Sequence, residues 1–166
     1  AVVSAVAAES DQVMLTLASQ ESSIDELAKL LATLAGCGID IEHRLSYATP
    51  TQARHQLDCL LSQVDYESVR DRIDAWVSSS AGREQRITKG VAKVSLLGYS
   101  LAHDMQITHE LLKQLGTANI PCYHLAALDY QICALVDQKC LELAVRLLHQ
   151  YFVSSQQHEP QLMSLS

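Results

Sequence analysis

The stretch VSLLGYSLAHDMQITHELL, residues 94–112, runs from strand-like apolar residues through a short turn into a helical stripe. A turn of this kind can hold a small anion or an amino acid, because the first N–H groups of a helix are unpaired and lie at the positive end of its dipole. This turn has one glycine, Gly98, and no proline, and Asp104 stands where it can cap the helix itself. It is expected to hold little. A second strand-to-helix turn carries Ser22, Ser23, Ile24, Asp25 and Glu26. Ser23 as N-cap with Glu26 three residues on reads as a capping box, and Asp25 adds another carboxylate to the same turn. That helix end is expected to be occupied by the protein's own anions, which repel a ligand carboxylate. His103 beside Asp104 has the composition of an acid/base pair, yet no nucleophile or second base accompanies it, and a surface dipeptide is the plainer reading.

Other chemistry finds little support. The seven histidines and five cysteines show no zinc spacing, and no G-x-x-x-x-G-K-[ST] loop or G-x-S-x-G elbow occurs. Cys37, Cys59, Cys122, Cys133 and Cys140 form no C-x-x-C pair, and their odd number leaves at least one thiol unpaired; reduced thiols in a cytoplasmic protein are expected. Twelve basic and nineteen acidic residues give a net charge of −7, with no basic stripe and interleaved aromatics to follow a phosphate backbone, so nucleic acid is not an expected partner. The chain is 48% hydrophobic, but no uncharged run approaches the ~18 residues of a membrane span. The opening AVVSAVAAES lacks the basic and apolar regions of a signal peptide, and the chain reads as a piece of something longer.

The elements that must position these turns follow from periodicity. Val13, Leu15 and Leu17 alternate as a strand, and Ile24, Leu27, Leu30, Leu31 and Leu34 then take helical spacing. IDIEHRL and ARHQLDCLL read as strands around a turn at Pro50, and YESVRDRIDAWV as a helix with Trp76 on its core face. The order recurs from Val94, through IPCYHLA, YQICALV and KCLELAVRLLHQYF. With a shift of 81, Leu30, Leu31, Leu34 and Ile39 fall on Leu111, Leu112, Leu115 and Ile120. The run SSSAGREQR between the units reads as a solvated linker.

A βαββα unit needs a sixth element, since otherwise a sheet edge stays bare. EQRITKG supplies it to the first unit. Only the polar SSQQHEPQLMSLS follows the second, so its last strand is expected from residues 2–8. The fold class is α+β, with two ferredoxin-like βαββαβ domains, the first (9–89) inserted into the second (1–8 with 90–153), and a polar tail over 154–166.

AVVSAVAAESDQVMLTL, GVAKVSLLG and LELAVRLLHQYF resemble the start, middle and end of the tandem ACT-domain regulatory region of bacterial aspartate kinase, across residues 1 to about 153. The resemblance implies a non-catalytic regulatory part, or separate small subunit, of the enzyme that phosphorylates aspartate ahead of lysine, threonine and methionine synthesis. It implies a homodimer through the ACT domains, a kinase domain in cis or in trans, and an amino-acid effector such as lysine or threonine. No cofactor is expected in this chain; ATP and magnesium would belong to the kinase domain.

The family's turns usually read Pro-Gly before the helix. Ile24 and Asp25 stand there in the first turn, Met105 and Gln106 in the second. The following strand supplies a polar residue, an apolar one and an acid. Asp40, Ile41 and Glu42 keep that pattern in a first site that extends to Ser46, whereas Pro121, Cys122 and Tyr123 break it in the second. Of the acid-terminated hydroxyl run that follows in the family, only Asp129 remains. The first site is therefore expected to retain more binding capacity than the second, and feedback is expected to be weakened. The alternative is a purely structural oligomerisation module of a feedback-insensitive kinase. An RNA-binding version of the same architecture would need aromatic residues on its central strands, and VMLTLAS and VAKVSLLG have none.

Overall fold

The computed structural model describes residues 1–20, 24–49 and 52–154. The chain divides into two compact units, Asp11–Lys89 and Ala1–Ser10 with the chain from Gly90 onward. Both are ferredoxin-like α+β units, one inserted into the other.

The inserted unit takes the second part of β1 (Val2–Ser19), then α1 (Asp25–Ala35), β2 (Glu42–Thr49), β3 (Gln52–Ser62), α2 (Gln63–Ser78) and the first part of β4 (Arg83–Tyr99). Its strands lie in the order β2–β3–β1–β4, with β3 antiparallel to both β1 and β2. Alternation along β1 turns Val13, Leu15 and Leu17 into the core, while Thr16 between them donates to Asp58 Oδ1 at 3.0 Å. Three- and four-residue spacing brings Leu27, Leu30 and Leu34 of α1 and Tyr66, Val69, Ile73 and Trp76 of α2 into the same cluster. Each such side chain, fully buried, contributes about 1.5–3 kcal/mol. Ser62 ends β3 and starts α2 by accepting the Asp65 N–H at 3.1 Å.

The second unit continues through α3 (Met105–Thr117), β5 (Cys122–Ala127), β6 (Gln131–Asp137) and α4 (Leu141–His149). Its strand order is β1–β4–β6–β5. The early residues of β1 supply its last strand: Val3 is buried with Val94, Leu96, Leu111, Ile132 and Leu148, and Ser4 Oγ donates to the Leu97 carbonyl at 3.2 Å.

Several expectations are corrected. Residues 2–8 and 13–17 belong to one strand, Val2–Ser19, in which Gln12 already pairs with Ser62. Positive φ at Asp11 (51°) and Gly90 (72°) marks where β1 and β4 pass between units. IDIEHRL is strand only from Glu42 onward. Leu112 is 43% exposed, so the repeat holds at Leu111, Leu115 and Ile120 but not there. KCLELAVRLLHQYF is broken into a 3-10 turn over Gln138–Cys140, α4, and a π turn over Gln150–Ser154; the Asp137 carboxylate starts the first by accepting the Lys139 N–H at 2.9 Å.

Candidate functional site

In the inserted unit, Ser22 and Ser23 lie outside the described residues. Helix α1 begins at Asp25, with Ile24 as an N-cap that offers no side-chain acceptor. Glu26 is therefore the second helical residue and not the third, which corrects the capping-box expectation. Its carboxylate turns outward, 2.7 Å from Lys29 Nζ and 3.7 Å from Arg83 Nη2. The Lys29 hydrogen bond and charge, with a smaller contribution from Arg83, hold the Glu26 carboxyl below the usual carboxylate range. Lys29 is raised in turn. Asp25 adds a second acid to the first turn, so this helix end carries its own negative charge.

The remaining candidates of this unit stand apart from the turn. Glu42 is opposite Leu60, and Leu60 is opposite Met14, whereas the turn leaves β1 after Ser19. Five residues of strand separate the two levels, about 17 Å at ~3.3 Å per residue. Asp40 lies at the far end, where its N–H is 3.4 Å from Asp65 Oδ2 at the start of α2. Ile41 packs on the core, and its carbonyl is 3.1 Å from His43 Nδ1. Ser46 is the exception: it is half-buried opposite Gln56, level with Ala18 and close to the turn. Topology carried this signal, since the eleven residues of α1 span about 16 Å and return the chain to the opposite end of the sheet.

The second unit repeats the separation. Cys122 is opposite Val136, which faces Ala92, while the turn leaves β4 beyond Leu97. Pro121 precedes the strand at that far end. The Cys122 thiol, pushed up by burial, lies 3.2 Å from the His124 carbonyl. Asp129, by contrast, reaches the turn: its carbonyl accepts the Leu101 N–H at 3.0 Å, next to the Gly98 N–H bonded to the Tyr130 carbonyl at 3.0 Å. Leu101 is fully buried and fills the turn, and Ser100 takes a left-handed φ of 59°. Asp104 Oδ1 accepts from the Gln106 and Ile107 N–H groups at 3.0 and 3.4 Å. Met105 points to solvent, 84% exposed, and Gln106 Nε2 bonds Glu110 at 2.9 Å. Apolar filling and self-capping leave this turn few donors for a ligand.

Sequence reasoning missed Arg83, placed in a solvated run. Its side chain is 4% exposed. Nη1 donates to the Trp76 carbonyl at 2.9 Å and to Ser79 Oγ at 2.8 Å, and the guanidinium lies 4.4 Å from the Trp76 ring centroid. The Trp76 indole Nε1 is buried with no hydrogen-bond partner among the described residues. None of the five cysteines is joined in a disulfide, and among the described residues no group of three or more His, Cys, Asp or Glu could hold a metal ion. No helix among them is long and apolar enough to cross a membrane.

No family model matches the chain. It is 19% identical over 151 residues to the aspartate kinase Ask_LysC of Stutzerimonas stutzeri, covering 91% of this chain and 36% of that protein. The chain thus spans about a third of the length of the curated relatives it matches. Its fold is that of aspartate kinase regulatory regions. The ligand-free regulatory subunit of aspartate kinase from Thermus thermophilus matches at a TM-score of 0.74 and 21% identity, over 90% of this chain and 99% of that one. Aspartokinase III of E. coli in complex with lysine and aspartate matches at 0.61 and 22%, over 91% of this chain and 33% of that one.

Proposed function

We propose that the chain is the non-catalytic regulatory part of an aspartate kinase, acting in the cytoplasm on the synthesis of lysine, threonine and methionine. One observation carries this reading: the inserted pair of ferredoxin-like units matches a separate regulatory subunit over nearly the whole of both chains. The units form a homodimer and couple an amino-acid effector to a kinase domain in cis or in trans. The separation of Glu42 from the α1 turn supports pairing between copies, because a ligand touching both would need the turn of one copy and the strand of another.

The response to effector is weakened. Both turns lack Pro-Gly, one carries acids at the helix end, and the other is filled by Leu101. The same features support a second reading, a structural oligomerisation module.

A thermal-shift titration with lysine, threonine and methionine, alongside the amino-acid dependence of kinase activity in the full assembly, separates the two. A ligand at 100 times its dissociation constant stabilises the fold by about 2.7 kcal/mol. A weak shift coupled to a loss of kinase activity supports the regulatory reading; no shift and no change in activity with any amino acid removes it in favour of the structural module. Glu42→Ala is expected to cost more binding than Asp129→Ala, and equal losses would refute the ranking of the two sites.

A further inference from the structure

We draw no further inference here: the strongest candidate, the open cavity between α3 and the π turn, lined by Glu110, Gln114, Leu147 and Tyr151, carries nothing, because the Glu110 carboxylate is already engaged by the Tyr151 hydroxyl and the Gln106 amide and nothing in the structure shows what covers or fills it.

Discussion

Gly98 of β4 and Val2 of β1 approach so closely that a Cβ on residue 98 would fall within van der Waals contact of the Val2 carbonyl oxygen and carbon. The obstacle is backbone, which cannot rotate aside. Gly98→Ala is therefore expected to unseat the start of β1 at a cost of about 1–3 kcal/mol or more. Thermal unfolding and amide exchange at Val3 to Val6 measure it; unchanged protection there would show that the strand yields without loss.

Leu101 sits in the turn at zero exposure, packed in the cluster that includes Leu111 and Leu115. Leu101→Ala is expected to destabilise the second unit by about 2–5 kcal/mol. Denaturant unfolding provides the number, and a cost below 1 kcal/mol would mean that the turn refills by collapse.

Asp104 is the acceptor for two N–H groups of α3. Asp104→Ala is expected to cost about 1 kcal/mol, and Asp104→Asn much less, because an amide oxygen can accept the same bonds. If both variants lose equally, the charge and not the cap is what matters.

Arg83→Met removes from a buried position the hydrogen bonds to the Trp76 carbonyl and Ser79 Oγ and a cation–π contact, while the Trp76 carbonyl keeps the Ser79 hydroxyl and N–H as donors. A loss of about 1–3 kcal/mol follows, accompanied by a change in Trp76 fluorescence. An unchanged emission spectrum would contradict the stacking.

The acid limb of the stability curve carries the Glu26 contacts. Its folded pKa is depressed by Lys29 and Arg83 from an ordinary value of 4.5, so the stabilisation is full above that value and is lost as pH falls through the folded pKa. Glu26→Gln is expected to flatten the dependence of melting temperature on pH below 4.5, and to leave that dependence near neutrality unchanged. A wild-type acid limb in this variant would assign the titration to other carboxylates.

The alternation of Val13, Leu15 and Leu17 and the spacing of Leu27, Leu30 and Leu34 made the repeated unit readable, because one buried face imposes a period on its element. The bare sheet edge then pointed to residues 2–8. Burial of Arg83 left no such trace: it depends on an indole seven residues earlier, on another element, and a charged residue in a polar run reads as solvated. Glu42 and Asp25 were grouped by a linear motif, whereas the helix between them carries the chain to the other end of the sheet. Asp129 lies beside the second turn through its carbonyl, which accepts the Leu101 N–H.

Insertion also sets an order in time for a chain made from one end. Residues 2–10 emerge before the inserted unit, but β4, which seats them, completes only after Gly98, roughly ninety residues later. At ~5–20 residues per second this leaves the leading strand waiting on the order of ten seconds with a bare edge, while Asp11–Lys89 already forms a contiguous segment able to close its own core. Of the two units, the one whose strand is made earlier is thus the later to be finished.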